Sequence, residues 1–180
     1  EALPRPVDVA TLDTLAAGYA EVYLRHTFRA APTESPWLTE DGLERQAPMF
    51  EIRETMRRHG LTSTDWASRT EDHMVVQLRF VARLVRAAGA AGDPAGLAAP
   101  TEFLDAHLMR WIRPFAVRLV RGGAPDWYVA LALLTATYLD EAREHLAALT
   151  GIARPEERPL VGEPRDGGAG EPPQAEEHMS

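Results

Sequence analysis

Apolar positions recur at steps of three and four along most of this chain, the spacing that lines one face of an α-helix. Leu12, Leu15, Ala16, Tyr19, Val22 and Tyr23 mark a first helix from about Asp8 to Phe28. The stretch RAAPTESPWLTEDG interrupts the pattern with Pro32 and Pro36 and reads as a loop. A short helix follows over Pro48 to His59, since proline suits a first turn and Gly60 suits the end. After SRT, the residues Val75, Leu78, Val81, Ala82 and Val85 share one side of the next helix. Ser68 stands three positions before Glu71, the spacing of a capping box. Gly89 to Pro100 reads as a loop, with Thr101 capping the helix beyond it. Pro114 lies inside that helix's apolar pattern and should kink or split it, because proline lacks the amide donor and crowds the preceding turn. Pro125 opens a long helix, Asp126 to Leu149, ending at Gly151. No segment alternates with period two. The expected fold is all-α, a single-domain helical bundle of about six or seven helices.

Residues 152–180, IARPEERPLVGEPRDGGAGEPPQAEEHMS, change character. They are rich in Pro, Gly and Glu and nearly free of large apolar groups. Such a segment buries too little surface to offset its ordering entropy. The chain therefore divides into a helical domain, 1–151, and an acidic tail, 152–180, expected to be disordered and to have no apolar face to dock.

The net charge of −8 argues against nucleic-acid binding. All 19 basic residues are Arg, which reads as a composition bias. The absence of cysteine excludes disulfides, thiolate metal sites and cysteine nucleophiles, and fits a reducing compartment. No apolar run reaches the length of a membrane span, and no signal peptide opens the sequence. A cytoplasmic protein without stable membrane insertion is the expectation.

The densest chemistry lies in SRTEDHMVVQLRF, where Glu71, Asp72 and His73 stand side by side. Acidic residues belong in a helix's first turn, facing the positive end of its dipole. That accounts for Glu71 and partly for Asp72, but not for His73. A catalytic reading needs a nucleophile or phosphate-binding motif beside them, and the sequence has neither Gly-x-Ser-x-Gly nor a phosphate loop. A small metal- or substrate-binding helical enzyme would have to gather His73, His107 and His145 from separate helices, an unusual ligand spacing. Trp37, between prolines in APTESPWL, either plugs the core beneath its loop or lines an apolar groove with Glu34 at the rim.

Several stretches taken in order resemble the TorD/DmsD family, the redox enzyme maturation chaperones of molybdenum-containing oxidoreductases. These are YAEVYLRHTF, APTESPWL, RRHGL, RTEDHMVVQLRFVARLV, FLDAHLMRWIRPFAVRLV and APDWYVALALLTATYL, spanning residues 8 to 149. RTEDH keeps the Asp-His pair of the family's acidic-Pro-x-Asp-His motif as Asp72 and His73, with Arg69 and Thr70 at its first two positions. His107, Leu108 and Trp111 match an HLxxW element, and Pro32, Ser35 and Trp37 match the Pro/Ser/Trp loop.

The resemblance implies an all-helical cytoplasmic chaperone. It would bind a molybdopterin oxidoreductase, through its twin-arginine signal peptide or its apo form, until the cofactor is inserted. It implies no catalysis and no resident cofactor or metal. A twin-arginine peptide needs carboxylates beside an apolar trough. Asp72, Glu71 and Glu34 would serve the first need, and Tyr19, Val22, Tyr23, Trp37 and Leu38 the second, with His73 orienting Asp72 or bonding to the loop. Family members usually carry helices upstream of the match. Their absence would expose apolar surface, so a monomer or a domain-swapped dimer is expected.

Overall fold

Asp8 starts the first helix, its carboxylate accepting from the Thr11 amide at 2.7 Å. Helix α1 spans Val9–Tyr19 and loosens into a π turn over Ala20–Leu24. The computed structural model describes residues 8–25, 27–63, 69–156, 158 and 160–161. Six further α-helices follow among them: α2 (Ser35–Leu38), α3 (Ala47–Arg58), α4 (Met74–Ala91), α5 (Ala98–Ala106), α6 (Leu108–Gly122) and α7 (Asp126–Thr150). A 3-10 turn, Pro94–Leu97, precedes α5. No strand occurs among the described residues, so the all-α expectation holds. None of these helices is long and apolar enough to cross a membrane.

Four local expectations are corrected. The loop with Pro32 and Pro36 contains the short helix α2, because Pro36 fits a first turn that needs no amide donor. Helix α4 starts at Met74 with His73 as its N-cap. Glu71 is therefore outside the helix and cannot complete a capping box, while Ser68 lies outside the described residues. Thr101 is inside α5, its hydroxyl donating to the Leu97 carbonyl at 2.7 Å, and caps nothing. Pro114 leaves α6 unbroken, and the split between α5 and α6 falls at His107, which has φ −125° and ψ −90°.

Helix α6 runs through the main core, burying Leu108, Trp111, Ile112, Phe115, Ala116 and Leu119. In the same cluster α7 contributes Tyr128, Ala132, Ala136, Leu139 and Leu146, again at three- and four-residue steps. A second cluster joins α3, α4 and α5 through Ile52, Met56, Phe80, Leu84 and Phe103. Burying a side chain of this size contributes about 1.5–3 kcal/mol. Gly18 of α1 lies flat on Tyr128, where an added Cβ would come within 2.8 Å of the ring.

Gly151 ends α7 with φ 71°, the left-handed turn that favours glycine. The chain beyond it stays on the body as far as it is described. The Ile152 carbonyl accepts from Arg143, Arg154 pairs with Asp140, and Leu160 packs on the main core. The first residues of the segment read as a tail thus have a docking face, supplied by Ile152 and Leu160.

Arg143 fastens three elements. It is fully buried and meets Asp105 of α5 through two hydrogen bonds of 2.7 Å each, besides its bond to Ile152. Bonding to Asp105 raises the Arg143 pKa further, so the guanidinium stays charged. Removing one member of a buried pair leaves a charge uncompensated, at about 3–5 kcal/mol, whereas replacing both by apolar groups is often neutral. Asp105→Ala should therefore lower the melting temperature by roughly 10 °C, at about 2–4 °C per kcal/mol for a chain this size. The double variant Asp105→Leu with Arg143→Met should recover most of that loss in thermal unfolding.

Candidate functional site

Two stretches far apart in sequence are laced together by their backbones. The Glu34 amide donates to the Asp72 carbonyl at 3.0 Å and the Met74 amide to the Pro32 carbonyl at 2.9 Å. Thr33 and His73 form an isolated antiparallel bridge between them. Pro32 has no amide to give, and its carbonyl does the work instead. This seam fastens the proline-rich loop to the start of α4.

Side chains fill the seam with buried polar bonds. Asp72 is fully buried. One carboxylate oxygen accepts from the Ser35 amide at 3.0 Å and the Ser35 hydroxyl at 2.6 Å; the other accepts from the Thr70 hydroxyl at 2.5 Å. Ser35 Oγ in turn accepts from the Gln46 amide at 3.2 Å, so the far end of the loop is tied to the same centre. Glu34, equally hidden, binds Gln77 Nε2 at 3.0 Å and His107 Nδ1 at 2.9 Å. Gln77 also donates to the Asp72 carbonyl at 2.8 Å. Glu71 is buried at the edge and holds Arg53 of α3 through two hydrogen bonds, 2.9 and 3.0 Å.

Trp37 closes the loop over the core. Its indole nitrogen donates to the Ala31 carbonyl at 3.0 Å, and its ring stacks on Trp111 and meets Phe115 edge-on. Arg118 lies over its other surface, 5.2 Å from the ring centre. Half-buried Leu38 packs on the same cluster.

Asp72, His73, Glu71, Glu34, Trp37 and Leu38 are thus brought to one junction. The two central carboxylates face inward, with partners, rather than lining an open cleft. Tyr19 and Tyr23 lie elsewhere, in a cluster with Tyr128, whose hydroxyl donates to the Leu15 carbonyl. Burial, helped by the neighbouring tyrosines, pushes the Tyr23 pKa up to about 12. Sequence reasoning missed Ser35, Thr70, Arg53 and Gln77 as members of the network. Gln77 had a signal: it falls on the stripe Gln77, Phe80, Leu84 and Ala88, the face that α4 buries. The stripe read from sequence was rotated from this one, and Val75 and Val85 are exposed.

The histidines do not converge as ligands. His73 caps α4, His107 pairs with Glu34, and His145 bonds to the Glu141 carbonyl of its own helix. No group of three metal-ligating residues is found among the described residues.

His73 Nδ1 accepts from the Val75 amide at 3.1 Å, which requires the neutral ring. Burial lowers its pKa, Arg69 lowers it further, and Asp72 opposes both. The folded chain therefore takes up this proton less readily than the unfolded chain, where the value is about 6.5. The stability contributed is complete above that pH and is lost as pH falls below it. Replacing His73 by asparagine keeps a capping acceptor without a titration. His73→Asn should leave melting unchanged near neutrality and flatten its decline toward acid, as followed by circular dichroism.

The Asp72 carboxylate offers acceptors only, and all three of its partners are donors. Asp72→Asn would set an amide N–H against a donor in a dry place. The expected cost is roughly 2 kcal/mol or more, read as a lower denaturant midpoint with an unchanged slope.

Comparison with known proteins gives one family match and three similar relatives. Residues 1–117 match the family described as nitrate reductase delta subunit. The chain is 28% identical over 139 residues to a protein named Chaperone protein TorD from Vibrio cholerae serotype O1 strain ATCC 39541. It is equally similar to that of strain ATCC 39315, and 27% identical to that of strain M66-2. Each match covers 75% of this chain and 63% of the relative, so the chain spans less than two thirds of these relatives' length. No solved structure matches.

Proposed function

The chain belongs to the nitrate reductase delta subunit family, and we propose that it acts as a maturation chaperone for a molybdenum-containing oxidoreductase. It would hold the apo enzyme, or its twin-arginine signal peptide, until the cofactor is inserted, in the cytoplasm and without catalysing a reaction. The observation that carries this reading is the similarity to Chaperone protein TorD over 139 residues. The rival reading, a helical enzyme built on His73, His107 and His145, has no support from the dispersed places of those residues.

Geometry refines where a client would bind. Asp72 and Glu34 are hidden, so their role in recognition is to hold the loop rather than to touch the peptide. The outer side of that loop carries exposed Glu40, Asp41 and Glu44, with Leu43 and Phe50 exposed beside them in the chain. Glu71 already grips a guanidinium, that of Arg53, in the two-pronged geometry a client arginine would use. Outward-facing Val9, Leu12, Trp127, Leu134 and Tyr138 on α1 and α7 supply apolar surface for an unfolded client.

A labelled peptide with two adjacent arginines before an apolar stretch provides the test. The full chain should bind it, and replacing both arginines by alanine should weaken binding. A charge-assisted contact contributes about 1.5–3 kcal/mol, so Glu40→Gln combined with Glu44→Gln, which removes two such contacts, should reduce affinity about a hundredfold or more. Equal binding of the arginine and alanine peptides in fluorescence anisotropy would sink the signal-peptide reading.

A further inference from the structure

A groove of about 1660 Å³ opens beside α6, and its charge runs against that of the chain. Seven arginines and four carboxylates line it, within a protein of net charge −8. Two of the four carboxylates are engaged. Asp105 is held by Arg143, and Asp140 by Arg113 and Arg154. Arg29, Arg110 and Arg121 find no carboxylate partner among the described residues, and the Nε of Arg110 is buried with no acceptor among them. Arg29 also holds φ at 48°, a left-handed conformation uncommon outside glycine. The floor is apolar, built from Phe28, Trp37, Met109 and Val117. Such a site fits an acidic segment with occasional apolar or proline residues. It does not fit a twin-arginine peptide, which carries the groove's own sign.

One segment of this chain has the required chemistry and starts at the right place. Ile152, Arg154 and Leu160 line the groove, so the described chain, which reaches residue 161, runs along it to within one residue of its described end. Residues 162–180 hold five carboxylates, Glu163, Asp166, Glu171, Glu176 and Glu177, against the single Arg165. At about 3.3 Å per residue they have ample reach to cross the opening. We propose that the groove is a dock for an acidic segment and that its occupant is the chain's own residues 162–180. Tethering makes the encounter intramolecular, with an effective concentration on the order of millimolar, so even weak pairing keeps the groove filled. An acidic segment of another protein would have to displace the tail. This inference does not depend on the chaperone reading.

The experiment uses full-length chains and a fluorescent peptide of residues 162–180. One chain is unaltered. In the other, Glu163, Glu171, Glu176 and Glu177 are changed to Gln and Asp166 to Asn. The free peptide should bind the neutralised chain at least tenfold more tightly than the unaltered chain, whose own tail competes. Raising ionic strength to about 0.5 M, where screening acts within a few ångströms, should weaken it. Arg110→Gln with Arg121→Gln, placed in the neutralised chain, should abolish binding while leaving the circular dichroism unchanged. If that pair disturbs folding, exposed Arg29→Gln should still weaken binding several-fold. Equal binding to both chains would mean the tail does not occupy the groove. Undiminished binding to the folded arginine variants would place the acidic site elsewhere. Either result overturns the proposal.

Discussion

The Asp72 carboxylate receives three hydrogen bonds in a place closed to solvent, and the loop from Ala30 to Gln46 depends on it. A charged group is removed from water only where bonds replace its hydration, since an unpaired one would cost far more than the fold can supply. Here the replacement donors come from Ser35 and Thr70, so the carboxylate is satisfied only when the loop is in place. Through Ser35 the tie extends to Gln46, and through the Asp72 carbonyl to Gln77. Glu34 continues it to His107, where α5 ends and α6 begins. Four separate parts of the chain share one network, and removing a donor anywhere in it strands an acceptor elsewhere.

The helices were readable because their signals are local. Pro125 and Gly151 bracket α7 as their conformations require, and Pro48 and Gly60 bracket α3 almost as closely. The network was not readable in the same way. Glu71 and Ser68 have the spacing of a cap, but His73 takes that role because the bridge to Thr33 holds its backbone extended. Spacing along the chain says nothing of a partner forty residues away. Asp72 stands out in the sequence, yet its burial follows from Ser35 and Thr70, whose hydroxyls look like ordinary loop residues in isolation. Pro114 misled for a related reason. Tertiary burial of Trp111, Ile112 and Phe115 holds α6 together on both sides of the missing amide bond.

Family resemblance drew attention to this stretch of chain while leaving its geometry open. An Asp-His pair beside a Pro/Ser/Trp loop suggests a carboxylate waiting for a guanidinium. In this structure the same pair instead holds a loop to a helix. The two ideas meet if recognition depends on the loop's shape. A segment already fixed by buried bonds loses little further freedom when a partner binds its outer side, and preorganisation of that kind is a recognised source of affinity.

Charge distribution sharpens the division of labour. Carboxylates dominate the outside of the loop at Glu40, Asp41 and Glu44, whereas arginines dominate the groove beside α6. With Lys absent, every cation in the chain is a planar guanidinium, suited to two-pronged bonds with carboxylates. Arg53 and Arg143 use that geometry within the fold, on Glu71 and Asp105. Arg29, Arg110 and Arg121, with no carboxylate partner among the described residues, line one concave surface, in a protein whose net charge would otherwise repel acidic segments. Long-range attraction cannot draw an acidic ligand to such a molecule from a distance, since ions screen the field beyond about 10 Å and the remainder is unfavourable. The groove would therefore favour ligands delivered close by, as a covalent tether would deliver residues 162–180 under the docking proposed for them.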